Sequence, residues 1–315
     1  MTRPARPELT ALLALFAGAL AIGSSGIFVR VSETGAVASA FWRGALAVPP
    51  LALWALLERR GGGAARGAAP RAPLLDAGFW WAGVFFAGDI ALYHLSLVRS
   101  SVAASTLEAN TAPIVVSILA WALWGERPRL GFLLATLLAF GGLVLMMSPK
   151  LGSGGHALSG DALALGAAWF YAAYILAVAR LRARHGTGTV MLASTLIFSA
   201  LLLPLPFVLG ERFLPDTRHG WLLLAGLALS AQALGQSLIA YALAHLRATF
   251  GSLGLYLQVI AAWVYAWLLL GERLRPLQLA GGAIVLIAIA LARAARAPST
   301  AAAAHPLPQA ATPQG

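Results

Sequence analysis

The chain has 315 residues, of which 60% are hydrophobic and only 10% are charged. This length would suit two soluble domains, but there are too few polar residues to coat them, which excludes a soluble protein. The formal charge of +11 does not indicate nucleic-acid binding, because the charges lie in short loops between apolar segments rather than in one stripe.

Ten apolar runs follow one another along the chain. Each is close to the ~20 residues that a helix needs to cross a membrane. They are Leu9 to Val29, Ala36 to Leu57, Ala77 to Val98, Val102 to Trp124, Arg129 to Ser148, Ser159 to Ala179, Gly188 to Gly210, Gly220 to Ala244, Ala248 to Leu270 and Pro276 to Ala292. The first run is longer than a usual signal-peptide core, so we expect a membrane helix there rather than a cleaved signal peptide. The runs predict an all-α integral membrane protein with ten transmembrane helices.

One ten-residue stretch occurs twice. AWALWGERPR ends the fourth run, AWLLLGERLR ends the ninth, and the two agree at seven of their ten positions. Five crossings separate the copies, and an odd number of crossings places them on opposite faces of the membrane. The chain is therefore predicted to contain two inverted five-helix repeats. In each copy a glycine, Gly125 or Gly271, is expected to end one helix.

The repeat divides the chain into five segments. The halves are 9–148 and 159–292, preceded by an amino-terminal segment 1–8 and joined by a loop 149–158. The tail 293–315 is rich in alanine and proline and is expected to be disordered. Positive charge predicts the orientation: with both termini cytoplasmic, the loops on their side hold twice as many arginines and lysines as the other loops.

The second and fourth runs, together with the repeated GER, resemble the drug/metabolite transporter superfamily, and within it the EamA-type ten-helix transporters. The resemblance covers about Leu9 to Ala292 and includes AFWRGALA, with Arg43 where that family usually has an arginine, and SSVAASTLEANTAPIVVSILAWALWGERP. It implies a carrier in the bacterial inner (plasma) membrane that exports amino acids or related small metabolites. The second half departs from the pattern, because Val259 stands where the first half has Pro113.

Few ionisable residues lie inside the runs, and each is costly enough in hydrocarbon to be a functional candidate. Away from the ends of the runs they are Arg43, Asp89, His94 and Glu108. A rise of ~1.5 Å per residue places Arg43, Asp89 and Glu108 in one layer, with His94 nearer the outer surface. Arg43 can neutralise only one of the two carboxylates. One proton is therefore expected to stay on the pair, which makes the pair a candidate proton carrier.

Of the two carboxylates, Glu108 is the stronger candidate for a functional role. It shares a small, polar helix face with residues at three- and four-residue spacing, namely Ser101, Ala104, Ser105 and Ala112. Pro113 lacks an N–H and frees the carbonyl of Ala109, which predicts a kink beside Glu108. A packing kink with a structural ion pair is the alternative interpretation.

The second half is expected to offer uncharged polar groups to the same cavity. They are Gln232 and Gln236 in the eighth run and Tyr256 and Gln258 in the ninth, where alignment of the two copies places Tyr256 opposite Asn110. Trp169, Tyr171 and Tyr174 in the sixth run could add aromatic walls, with packing or contact with lipid as the alternative. Such a cavity suits small amphipathic solutes.

Inverted repeats with polar groups near the midplane favour a carrier that works by alternating access. Its expected partners are a small-molecule substrate and the lipid bilayer, with protons as a candidate coupling ion. No cofactor or metal is expected, because the chain has no cysteine and its six histidines show no ligand spacing. A membrane-embedded enzyme acting on lipids, with Asp89, His94 and Glu108 as acid–base groups, and a passive channel are the alternatives. Short loops without a nucleophile–base motif weigh against the enzyme.

Overall fold

The computed structural model describes residues 6–60, 76–99, 102–125, 128–148, 158–271 and 275–294. Several predicted features lie outside these residues. They are the start of the amino-terminal segment, the glycine-rich linker after Arg60, the connecting loop at 149–157, the Glu–Arg pairs of both GER copies and the tail from 295 onward.

The predicted runs are helices, and several helices are broken into segments. The first half contains α1 (Arg6–Gly23 and Ser25–Arg30), α2 (Ala36–Ala45 and Val48–Arg60), α3 (Ala77–Arg99), α4 (Val102–Ala109 and Ala112–Trp124) and α5 (Leu130–Met147). The second half contains α6 (Leu158–Arg182), α7 (Thr187–Leu202 and Leu205–Val208), α8 (Arg218–Leu227, a π-helical segment Ala228–Gln236, and Ser237–Leu243), α9 (Ala248–Gly254 and Tyr256–Leu270) and α10 (Pro276–Ala294).

Nine stretches of the described chain are long and apolar enough to cross a membrane, one for every predicted run except the third. The third run forms α3, which has 23 residues and packs along α6 and α7 inside the bundle. Asp89, Tyr93 and His94 lower the hydropathy of α3, but its length of ~35 Å still suffices for a crossing. The fold is therefore the predicted all-α membrane architecture.

The packing between helices repeats when the two halves are exchanged. α3 packs on α6 as α8 packs on α1, α4 packs on α6 as α9 packs on α1, and α3 packs on α7 as α8 packs on α2. The contacts α2–α7, α4–α9 and α5–α10 each map onto themselves in this exchange. Two inverted five-helix repeats produce this pattern.

The repeated GER stretch ends a helix in both halves, as predicted. Gly125 ends α4 with φ 68°, and Gly271 ends α9 with φ 67°. Both angles are in the left-handed region, which glycine adopts without a steric penalty. The N–H of Gly125 donates to the carbonyl of Trp121, and that of Gly271 donates to the carbonyl of Ala266.

α2 and α7 cap each other at both ends. The Glu58 carboxylate, near the end of α2, accepts the N–H groups of Thr187 and Gly188 at 2.8 and 2.9 Å, where α7 starts. Glu211, just after α7, accepts the N–H of Ala38 at 2.9 Å, where α2 starts. An anion at a helix N-terminus satisfies free N–H groups and interacts favourably with the helix dipole. The two helices are thus tied together at both faces of the bundle.

Candidate functional site: a polar cavity between the two halves

A cavity of about 860 Å³ lies between the two halves, within the size range of small-ligand sites. It reaches Arg30 at the end of α1 and Ala36 at the start of α2, so it extends toward the face of the bundle that carries the loop 31–35. Most of its wall is apolar. Its polar wall residues come from both halves and include Arg43, Asp89, Tyr93, His94, Thr106, Asn110, Tyr171, Gln236 and Gln258.

Arg43 lies in the last turn of the first segment of α2. α2 breaks just beyond it, because Pro49 and Pro50 have no N–H to donate to the carbonyls of Ala45 and Leu46. The C-terminal end of a helix segment carries partial negative charge, which stabilises an arginine at this position. The sequence thus supplies a local reason for a cation inside the membrane.

The Arg43 guanidinium is held from one side by a chain of hydrogen bonds. Its Nε donates to Oε1 of Gln232 at 3.1 Å, and Nε2 of Gln232 donates to Oγ1 of Thr195 at 2.9 Å. The guanidinium carbon lies 5.7 Å from the centroid of the Phe86 ring, within the range of a cation–π interaction. The Nη2 nitrogen is buried, and it has no hydrogen-bond acceptor among the residues that the structure describes.

Asp89 and Gln236 occupy related places in α3 and α8. Each follows a glycine at which its helix lies close to a neighbour. A Cβ on Gly88 would come within 2.4 Å of Phe170 in α6, and a Cβ on Gly235 would come within 2.7 Å of Ile22 in α1. Close helix approach at these glycines brings the next residue to the wall of the cavity in both halves.

Asp89 shares the cavity with Arg43, and the two opposite charges attract each other. The described residues nevertheless show no direct ion pair between them, since the hydrogen bond of Arg43 goes to Gln232. Both side chains are only partly buried against protein. The cavity therefore presents a carboxyl group and a guanidinium group that can each contact a bound solute.

His94 and Tyr93 add polar groups on the α3 side. Nδ1 of His94 lies 2.7 Å from the carbonyl oxygen of Ile90. A carbonyl can only accept, so Nδ1 carries the proton in this bond and the ring interacts with the cavity through its other edge. The Tyr93 hydroxyl lies 2.9 Å from Oγ1 of Thr106, which joins α3 to α4 at the cavity wall.

α4 and α9 break at matching depths. α4 is interrupted at Asn110 and Thr111, at the kink that Pro113 predicts, and α9 is interrupted at Leu255 without a proline. The side-chain amide of Asn110 donates to the carbonyl of Thr106 at 2.7 Å. Asn110 and Gln258 line the cavity beside these breaks. Interrupted helices at the repeat interface are typical of binding sites in secondary transporters.

Glu108, which was predicted to share a layer with Arg43 and Asp89, is not among the residues that line the cavity. The cavity-facing residues of α4 are Thr106, Ala109, Asn110 and Pro113, whose three- and four-residue spacing defines one helix face. Glu108 lies about 200° around the helix from Thr106, at ~100° per residue, and so belongs to another face. The sequence indicated a polar stripe, but not which stripe faces the cavity.

Four other predicted site residues also lie outside the cavity wall: Trp169, Tyr174, Gln232 and Tyr256. Trp169 is 49% exposed on the outer side of α6. Tyr174 is buried behind the wall and stacks on Phe86, with 4.5 Å between the ring centroids. Tyr256 is buried. Gln232 contacts Arg43 rather than the cavity, from a π-helical segment that no sequence signal had indicated.

Sequence reasoning missed Thr195, Tyr93 and Thr106. Thr195 is fully buried in α7, and its one available signal is that it forms an adjacent hydroxyl pair with Ser194 in a mostly apolar run. Tyr93 directly precedes His94 in the third predicted run, which also contains Asp89. Their role depends on helix packing, which places Thr195 beside Gln232 and places Tyr93 and Thr106 in the cavity wall.

Comparisons with known proteins agree with this architecture. The model of the EamA-like transporter family matches residues 9–148 and 158–294. The pseudopaline exporter CntI of Pseudomonas aeruginosa (strain UCBPP-PA14) is 27% identical over 214 residues, which are 67% of this chain and 73% of that protein. A crystal structure with 18% identity has the same fold, with a TM-score of 0.76 over 93% of this chain and 100% of that chain. Because the family match spans both five-helix halves, the chain belongs to the EamA-like transporter family.

Proposed function

We propose that the protein exports amino acids or related small metabolites across the bacterial inner membrane by alternating access. The observation that carries the proposal is the cavity between the inverted halves, which holds the opposite charges of Arg43 and Asp89 and amides from both halves. Membership of a transporter family and similarity to a pseudopaline exporter support export of a small solute. With both termini cytoplasmic, the cavity opens to the outside, as in the release state of an exporter.

Asp89 is the proposed proton-coupling group. Its position in the cavity wall supports this role, because a carboxylate there can meet both the solute and water from the open side. The sequence favoured a proton shared between Asp89 and Glu108. The wall of the cavity contains Asp89 without Glu108, so a single carboxylate near Arg43 is the simpler arrangement.

Proteoliposomes can test the proposed function. Vesicles containing the purified protein are loaded with a mixture of the common amino acids, and the loss of each is followed with and without an imposed proton gradient. We expect selective efflux that the gradient accelerates and that a protonophore slows. Efflux that ignores the gradient would favour a passive channel. Vesicles that lose no amino acid would contradict the proposal, and modified lipids in them would favour the enzyme.

A further inference from the structure

We infer that Thr195 and Gln232 are positioning residues that hold Arg43 as the subsite for a carboxylate of the transported solute. The inference rests on the proposed function and identifies one chemical group that the solute must carry. The hydrogen bonds from Arg43 to Gln232 and from Gln232 to Thr195 join three helices, because Arg43 lies in α2, Gln232 in α8 and Thr195 in α7.

The direction of both hydrogen bonds, from Arg43 to Gln232 and from Gln232 to Thr195, is fixed. A guanidinium can only donate, so Oε1 of Gln232 must face Arg43 and its amide nitrogen must face Thr195. Gln232 and Thr195 are both 0% exposed, which leaves no room for water to replace either partner. The side chain of Gln232 therefore has one orientation, and it fixes the Nε edge of the guanidinium away from the solute.

The rest of the Arg43 guanidinium is not held in this way. Arg43 lines the cavity and is only partly buried, and its Nη2 is covered without an acceptor among the described residues, so a small shift of the side chain would present this donor to a ligand. A buried cation with an unused donor is unfavourable in a membrane interior unless an anion approaches it. A planar carboxylate matches the geometry of a guanidinium better than any neutral acceptor. A solute carboxylate is therefore the group that would complete this site.

Asp89 defines the other half of the recognition. It faces the same cavity without bonding to Arg43, so it can attract a cationic group of the same solute. A solute with a carboxylate and an ammonium group would place each next to the opposite charge. An amino-acid amide keeps the ammonium but presents a neutral group to Arg43, so it should bind much more weakly.

The test compares acids with their amides. Proteoliposomes are loaded with an equimolar mixture of the common amino acids and the carboxamide derivative of each, and efflux of every compound is measured. We expect at least one amino acid to leave at least about tenfold faster than its amide, the discrimination that one charge-assisted hydrogen bond provides. Equal efflux of acids and amides would overturn the inference and leave the proposed function standing. Efflux of neither would overturn the proposed function.

Variants of the positioning residues give a second readout. Thr195→Ala should raise KM for the transported acid between about two- and tenfold, the range for one lost hydrogen bond, with a smaller change in kcat. Thr195→Ser, which keeps the hydroxyl, should restore KM. Ser199→Ala is the matched control, because Ser199 lies one turn further along α7 and its buried hydroxyl has no hydrogen-bond partner among the described residues.

Gln232→Glu should reverse the preference between acid and amide. A carboxylate at this position would neutralise Arg43 from behind and repel a solute carboxylate, while it would leave the attraction of Asp89 for an ammonium group in place. An unchanged ratio of acid to amide efflux in correctly folded Gln232→Glu protein, together with unchanged KM in Thr195→Ala, would show that Arg43 does not bind the solute carboxylate.

Discussion

Asp89 and Glu108 are the two carboxylates that the sequence places inside the first half, and only Asp89 faces the cavity. A carboxylate that meets the aqueous cavity can exchange a proton during transport. Glu108 is not among the residues that line this cavity, because it lies on another face of α4. The difference between these residues is therefore a difference of helix face rather than of residue type or depth.

This difference predicts how the two neutral variants behave. Asp89→Asn should abolish acceleration of efflux by a proton gradient, because Asn cannot titrate, and should raise KM for solute exchange, because Asn no longer attracts an ammonium group. Glu108→Gln should retain gradient-driven efflux. The measurement is efflux against pH from proteoliposomes that contain each variant. Loss of gradient coupling in Glu108→Gln but not in Asp89→Asn would assign the coupling to Glu108 instead.

Glu33 ties the loop after α1 to the start of α8, outside the membrane-spanning segments. It accepts the N–H groups of Asp216 and Thr217 at 2.8 and 3.1 Å and the hydroxyl of Thr217. The Thr217 hydroxyl, followed by its N–H, lowers the pKa of Glu33 below the ordinary value of 4.5. Stabilisation by Glu33 is therefore fully present above pH 4.5 and is lost as the pH falls through the lower pKa of the folded protein.

Thermal unfolding in detergent can check this pH dependence. Glu33→Gln should lower Tm relative to the wild type at pH 7. The gap between the two proteins should begin to narrow as the pH falls below 4.5 and should close below the lower pKa of the folded protein, because the wild-type carboxylate is then protonated as well. A gap in Tm that persists unchanged at acidic pH would mean that the charge of Glu33 is not what stabilises the contact.

The helices show what the sequence could predict and what it could not. The hydrophobic runs specify the helices, because backbone groups in hydrocarbon must be satisfied within one segment. The prolines of α2 and α4 indicate their breaks, and the repeated glycines mark where α4 and α9 end. The break in α9 and the π-helical segment of α8 carry no such marker. They depend on packing across the bundle, so the second-half residues were harder to assign than Arg43 and Asp89.

The caps that α2 and α7 place on each other should contribute measurably to the stability of the folded protein. Glu58→Ala and Glu211→Ala each remove a carboxylate from a helix N-terminus, a loss of about 1 kcal/mol for a typical cap. Each variant should therefore lower Tm, and the double variant should show the sum, since the sites lie at opposite ends of the helices. Arg60→Ala, an exposed charge at the end of α2, is the control. Single variants with an unchanged Tm would show that the caps do not stabilise the fold.

The whole molecule makes a prediction about topology. The loops after α1 and after α6 are equivalent in the two halves, so an inverted repeat places them on opposite sides of the membrane. The chain has no cysteine, and Val31 and Ala183 are exposed in these loops. A membrane-impermeant maleimide should label Val31→Cys from the outside and Ala183→Cys only from the cytoplasm. Labelling of both from one side would contradict the inverted repeat.

The α2–α7 pair, with a cap at each end, is its own image when the two halves are exchanged. If the inward-open state is the outward-open state with the roles of the halves exchanged, both caps persist in both states. Contacts that the exchange interconverts, such as α3 on α6 and α8 on α1, must instead change. Spin labels at Arg59→Cys near the end of α2 and Thr189→Cys in the first turn of α7, beside the Glu58 cap, should keep one distance throughout the cycle. The distance between labels at Val31→Cys and Arg99→Cys, where α1 and α3 end, should change. The capped pair would then be the fixed axis about which the two sides of the cavity open in turn.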